Sequence, residues 1–176
     1  MLTEELLAKA RPIRLAVFDV DGVLTTGKLF YSPQGIEYKE FNVYDGQGLK
    51  FLNKSGIQLG VITACTTSIV TKRMQDLGIT HIYQGIDKIT AYEDLKKKLN
   101  LTDEQIAYVG DDLPDLPVIC RAGLGITVPH APQVMRDHAA WITTAPGGRG
   151  AVREVCDLIM RAQGSYDSLI QAHLQR

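Results

Sequence analysis

Val17-Phe18-Asp19-Val20-Asp21-Gly22-Val23-Leu24-Thr25 ends an apolar run with two carboxylates two positions apart. Side chains at i and i+2 of an extended chain lie on the same side. Asp19 and Asp21 therefore project together from the carboxyl end of a strand, where open α/β sheets hold their ligands. Two like charges so close are costly unless a cation or a shared proton offsets them, and a hard, oxygen-seeking cation such as Mg²⁺ suits a carboxylate pair. Taken alone, the pair reads equally well as a turn-shaping device before Gly22. A second acidic cluster, Gly110-Asp111-Asp112-Leu113-Pro114-Asp115, follows another apolar run at residues 106–109. In a parallel sheet these two strand ends can be neighbours, and their acids would converge on one metal.

Working outward, apolar runs alternate with amphipathic stretches, the pattern of a parallel α/β sheet with helices on both faces. Strands are expected at residues 14–20, 59–63, 81–83, 106–110 and 124–128, and helices at 45–55, 67–77 and 89–99. Residues 28–43 differ: Ser32-Pro33-Gln34-Gly35 is a turn signal flanked by alternating runs, which predicts a β-hairpin flap after the first strand. Pro146-Gly147-Gly148-Arg149-Gly150 leads into a helix whose Val152, Val155, Leu158, Ile159 and Ala162 share a face; residues 147–176 form this helix and a tail, frayed or docked on a partner after Gly164. The 176 residues suit one domain, 1–176.

Composition excludes several function classes. Nineteen basic residues against 20 acidic ones give a net charge of −1, which removes the main electrostatic reason to expect nucleic acid or an anionic membrane as partner. Cys65, Cys120 and Cys156 form no CxxC pair, so neither a zinc site nor a disulfide framework is indicated, and a reducing cytoplasm fits. Residues 1–10 carry Glu4 and Glu5 and make a poor signal peptide. No run approaches the roughly 18 apolar residues of a membrane span. His81, His130 and Trp141 read as structural, with Trp141 in the core.

Between the acidic clusters stand counter-groups. Thr63 ends the 59–62 run, where a hydroxyl beside the amides of a following helix suits a phosphate oxygen. Lys88 opens the next helix and could bring positive charge to the same phosphate. Singly, a Thr there is an N-cap and a Lys a solvated charge; their order is what carries information. Asp19-x-Asp21-Gly22, Thr63, Lys88 and Gly110-Asp111-Asp112 resemble the four ordered motifs of the haloacid dehalogenase superfamily. Over nearly its whole length the chain resembles the 3-deoxy-D-manno-octulosonate 8-phosphate phosphatases within it. The supporting segments include Phe41-Asn42-Val43 with Asp45-Gly46, residues 77–85, and residues 147–157, Gly-Gly-Arg-Gly-Ala-Val-Arg-Glu-Val-Cys-Asp.

The resemblance implies a Rossmann-like three-layer α/β sandwich with a mainly parallel sheet and no large cap domain. It implies Asp19 as nucleophile, Asp21 as general acid and base, and Thr63 and Lys88 as holders of the phosphoryl oxygens. Mg²⁺ would rest on Asp19, Asp21 and Asp111, with Asp112 in support. Sugar contacts would come from Asp21, Asn42, Val43, Asp45, Gly46, Arg73 and Lys88, and from the positions of Tyr44, Lys50 and Cys65. A homotetramer assembled through the hairpins, each site closed by a neighbour's C-terminal segment, is also implied. The match departs at Tyr44 and Lys50, where arginines are usual, and at Ala64-Cys65, where Gly-Arg is usual. Arginine offers a planar fork for a carboxylate, so these departures leave another sugar phosphate, such as a nonulosonate 9-phosphate, open as substrate. A catalytically silent binding module is the third reading. Cys65 has no His partner motif and reads as a small packing residue rather than a nucleophile.

Overall fold

The computed structural model describes residues 3–175. Its centre is β1 (Leu15–Phe18), every residue of which is buried. Leu15 and Val17 face one helical layer, and Ala16 and Phe18 face the other, so the strand reads as a continuous apolar run rather than an alternating one. β4 (Gln58–Thr63) and β6 (Ile106–Val109) flank it in parallel. β5 (His81–Gln84) extends the sheet beyond β4, while β7 (Leu124–Thr127) and β8 (Trp141–Ile142) extend it beyond β6, again in parallel. The resulting order, β5-β4-β1-β6-β7-β8, reverses direction at β1. That switch point opens a crevice at the carboxyl ends of β1 and β6.

Helices cover both faces. α1 (Glu4–Ala10), α2 (Val43–Lys54), α3 (Ser68–Asp76) and α7 (Ala151–Ala162) pack on the Ala16/Phe18 side. α4 (Lys88–Lys98), α5 (Leu116–Arg121) and α6 (Gln133–His138) pack on the Leu15/Val17 side. The arrangement is the expected three-layer α/β sandwich. Only a small hairpin, β2 (Phe30–Tyr31) with β3 (Glu37–Tyr38), separates β1 from α2. The Ser32 hydroxyl shapes its turn by accepting from the amides of Gln34 and Ile36 at 3.2 and 3.1 Å. Among the described residues, no helix is long and apolar enough to cross a membrane.

Several expectations need correction. The first strand stops at Phe18, and Val20–Leu24 coil into a turn in which Gly22 has φ 96°. Val43 belongs to α2 rather than to the hairpin, because Asn42 caps that helix with its side-chain oxygen 2.7 Å from the Tyr44 amide. Trp141 is only partly buried and begins the edge strand β8. The tail after Gly164 is not frayed: it forms α8 (Ser165–Leu174), whose His173 ring meets Phe51 edge-on at 5.5 Å. Residues 4–10 form α1, capped by Thr3. α5 and α6 have six residues each, too few to display a helical period in sequence.

α2 and α7 are joined by one buried acid. Asp45, 1% exposed, accepts from the Arg153 amide at 2.9 Å and the Gly150 amide at 3.3 Å, and so caps α7 from the body of α2. A cap of this kind contributes about 1–2 kcal/mol. Asp45→Ala should therefore lower Tm by about 2–8 °C in a thermal melt of a chain this size; an unchanged Tm would show that α7 does not depend on it.

Candidate active site

β1 delivers Asp19 to the crevice, and the amide of Asp19 still bonds the Val109 carbonyl of β6 at 2.9 Å. The chain then turns at once, which brings Asp21 to the same opening. The turn tolerates only glycine at position 22: besides the positive φ, a Cβ there would lie 1.9 Å from Asp111 Oδ2. A second glycine loop seats on it. The Gly148 amide donates to the Val23 carbonyl at 2.8 Å, and a Cβ on Gly147 would fall 1.7 Å from the Gly22 carbonyl oxygen. Asn42 Nδ2 donates to the Gly148 carbonyl at 3.3 Å and ties α2 to that loop.

A cavity of about 150 Å³ lies over this turn, walled by Asp19, Asp21, Thr63, Cys65, Lys88 and Asp111. Lys88, at the start of α4, is buried and bridges Asp19 Oδ1 at 2.8 Å and Asp115 Oδ1 at 2.5 Å. Burial lowers the pKa of the Lys88 ammonium, but Asp19 and Asp115 beside it outweigh this and raise it above the ordinary lysine value. Burial and then the Asp115 charge push Asp19 up to about 7 against the opposing pull of Lys88. The same two causes push Asp111 up to about 6.

Asp115 is the participant to which the sequence reading assigns no role of its own. Its Oδ1 accepts from Lys88 and from the Tyr108 hydroxyl, the latter at 2.5 Å, and its Oδ2 accepts from the amides of Asp111 and Asp112 at 3.2 and 3.3 Å. These four donors use up a carboxylate's capacity, so Asp115 holds Lys88 and the acidic loop in place. Its spacing, four residues after Asp111 across Pro114, was the available signal.

Carboxylate oxygens of Asp19, Asp111 and Asp115 all lie within 4.8 Å of one another. Two unit charges about 4 Å apart repel by about 4 kcal/mol at an effective dielectric near 20, several times a typical hydrogen bond's net contribution of about 1 kcal/mol. Lys88 offsets one of the three charges and leaves two, the charge of one divalent cation. The donors are all oxygen, and Asp115 is already saturated, so Asp19 and Asp111 are the carboxylates fitted to hold Mg²⁺. Asp21 completes the opening with Oδ2 buried and without a hydrogen-bond partner among the described residues.

Of the other residues singled out in sequence, Thr63 is buried with its hydroxyl 3.2 Å from the Cys65 amide, and Asp112, exposed, caps the Leu113–Asp115 turn. Cys65 is exposed at the cavity rim rather than packed as expected, and partial burial, then the Asp21 carboxylate, push its thiol up. The structure does not bring the remaining expected sugar contacts to this cavity. Val43 and Tyr44 stand exposed at the start of α2, and Lys50 lies exposed further along it. Asp45 is committed to α7, and Gly46 is buried under Arg73. Arg73 lines a separate recess of about 470 Å³ with Phe41 and Lys72, and its Nε is buried without a partner among the described residues.

The family model for haloacid dehalogenase-like hydrolases matches residues 62–152. The 3-deoxy-D-manno-octulosonate 8-phosphate phosphatase KdsC of Escherichia coli is 45% identical over 167 residues, 94% of this chain and 89% of that protein. The crystal structure of 3-deoxy-D-manno-octulosonate 8-phosphate phosphatase from Moraxella catarrhalis, in complex with magnesium ion, phosphate ion and KDO, superposes with a TM-score of 0.95 at 46% identity, covering 97% of this chain and 99% of that one. The cobalt-bound form of the deoxy-D-mannose-octulosonate 8-phosphate phosphatase of Haemophilus influenzae gives 0.86 at 40% identity, covering 90% and 93%.

Raised carboxylate pKa values mean that protons stabilise the metal-free fold below them, and that this stabilisation is lost as pH rises through about 6 to 7. Mg²⁺ must displace those protons. The Mg²⁺-induced rise in Tm should therefore be large near pH 8 and shrink by more than half near pH 5.5 in paired calorimetric scans with metal and with chelator. A constant shift across that range would show that Asp19 and Asp111 do not hold the ion.

Proposed function

Because the chain belongs to the 3-deoxy-D-manno-octulosonate 8-phosphate phosphatases, a branch of the haloacid dehalogenase-like hydrolases, we propose that it hydrolyses that sugar phosphate to 3-deoxy-D-manno-octulosonate and inorganic phosphate. The enzyme is an Mg²⁺-dependent phosphatase acting in lipopolysaccharide sugar biosynthesis. The observation that carries the reading is the buried Lys88 ammonium shared between Asp19 and Asp115 at the mouth of β1, because it places a fixed positive charge where an anionic nucleophile must meet an anionic phosphoryl group.

Asp19 attacks phosphorus. The bond from phosphorus to the sugar oxygen breaks, its electron pair stays on that oxygen, and Asp21 supplies the proton. In the second step Asp21 takes a proton from water as the water oxygen attacks the aspartyl-phosphate, and the electron pair of the breaking bond returns to Asp19. Thr63 and Lys88 hold the phosphoryl oxygens throughout. Asp19, Asp111 and Asp21 would hold Mg²⁺, which would supply electrostatic stabilisation of the phosphoryl charge.

The cavity of about 150 Å³ is smaller than the roughly 300–1,000 Å³ typical of whole-ligand sites. It accommodates the phosphoryl end, and the sugar extends beyond it. A homotetramer, with hairpins in contact and a neighbour's C-terminal segment over the site, would supply the missing wall. In support, the hairpin and the α2 start expose Leu29, Phe30, Tyr31, Ile36, Tyr38 and Tyr44, the last at 73%. Apolar side chains grouped in this way mark an interaction surface. Arg73, Asn42 and the positions of Tyr44, Lys50 and Cys65 are the sugar-contacting set in this assembly. The cytoplasm is its compartment.

Asp19→Asn removes the attacking charge with little change in volume and should lower turnover of the octulosonate phosphate by at least about 1,000-fold, measured on protein whose circular dichroism shows the fold intact. Phosphate release across a panel of sugar phosphates, with Mg²⁺ and with chelator, tests the substrate; a preferred nonulosonate 9-phosphate would move the substrate assignment and leave the chemistry standing. Sedimentation equilibrium should give four times the 19.4 kDa chain mass, and a monomer that is active at dilution would remove the neighbour from the site.

A further inference from the structure

Lys39 follows β3 directly and belongs to the hairpin, yet its side chain is only 2% exposed. Its Nζ lies 2.6 Å from Asp21 Oδ1 and 2.9 Å from Glu37 Oε1. Burial lowers the pKa of the Lys39 ammonium, but Asp21 and Glu37 outweigh it, so the group stays charged. The contact is out of keeping with its surroundings. Phe30, Tyr31 and Tyr38 of the same hairpin are exposed, so the flap turns its apolar side chains outward and its one buried cation inward, onto the residue assigned to proton transfer.

An ammonium has three donors and no acceptor. The Asp21 oxygen facing it can accept hydrogen bonds but cannot carry a proton toward it. The other oxygen, Oδ2, is buried and has no partner among the described residues, and Asp21 lines the cavity that also holds Asp19 and Lys88. We infer that Lys39 is a positioning residue for the reaction: by anchoring Oδ1 it presents Oδ2 of Asp21 as the single atom that gives the proton to the sugar oxygen and later takes one from water. The flap is thereby part of the acid–base apparatus, because placing Lys39 places the carboxylate. The inference rests on the acid–base role proposed for Asp21. Nothing in it concerns the phosphoryl-holding side of the site, which Thr63, Lys88 and Asp19 form without Lys39.

That division supplies the test. Nitrophenolate leaves without needing a proton, whereas a sugar alkoxide needs one. Lys39→Met, Lys39→Arg, Asp21→Asn and the Asp21→Asn/Lys39→Met double variant would be compared on 3-deoxy-D-manno-octulosonate 8-phosphate and on p-nitrophenyl phosphate, with stopped-flow detection. Lys39→Met should lower kcat on the sugar phosphate by about 30–300-fold with KM little changed. On the aryl ester it should show a burst of about one nitrophenolate per active site followed by slow turnover, because only the water step then requires Asp21. Lys39→Arg should recover most of the lost kcat. In the Asp21→Asn background, Lys39→Met should cost nothing further, since the residue it positions is already disabled. A kcat within twofold of wild type, a burst lost together with turnover, or losses that multiply in the double variant would each overturn the positioning role. Full sugar-phosphate turnover by Asp21→Asn alone would instead overturn the acid–base reading on which it stands.

Discussion

Repulsion among carboxylates at the mouth of β1 is the constraint around which the rest of the structure is arranged. The sheet's switch point brings Asp19 and Asp111 together, and no local hydrogen bond is strong enough to keep them there. Lys88 offsets part of the charge, but its own burial is tolerable only because Asp19 and Asp115 flank it. Asp115 in turn is held by Tyr108 and by two amides of the acidic loop. Each charged group is thus buried on condition that the next one stays. The residual double negative charge makes a divalent cation a component of the fold's electrostatics as well as of its chemistry. Burying one unpaired member of such a set is strongly destabilising, which is why an apolar frame as regular as β1, β4 and β6 surrounds it.

What could be read from sequence follows from what sequence patterns encode. β1, β4, β6 and β7 were legible because parallel strands buried on both faces leave largely apolar runs, whereas the edge strand β5 is only half-buried. Asp19, Thr63 and Asp111 were legible with them, since each stands at the end of such a run. β8 was not, being a two-residue edge strand with a half-covered Trp141, and neither were α5 and α6, which are too short to show a period. Nothing local in the sequence signals that the flap folds Lys39 inward onto Asp21. Asp115 lies within a quoted acidic cluster, but its four donors come from three different local settings, a strand, a helix start and its own loop, and only tertiary structure assembles them. Asp45 carries a structural duty that no local pattern announces: its carboxylate faces α7.

The two sides of the site are built on different terms. The phosphoryl side is rigid: it stands on strand ends and on the first turn of α4, and its charges are mutually dependent. The proposed sugar side is thin in the isolated chain, limited to a short hairpin and the exposed start of α2. Sites gain precision from regular elements and adaptability from loops. A chemistry common to a superfamily and a substrate choice particular to one branch fall naturally on these two sides.

The glycine loop that rests on the catalytic turn also bears on how the molecule comes into being. Gly147 and Gly148 lie against Gly22 and Val23 with no room for a side chain at position 147, and they follow all six strands of the sheet in sequence. Asp19 is therefore synthesised well before the loop that supports its turn. Contacts of such sequence separation form late and slowly in folding. A chain without that loop carries Asp19 without the surface that shapes the turn around it.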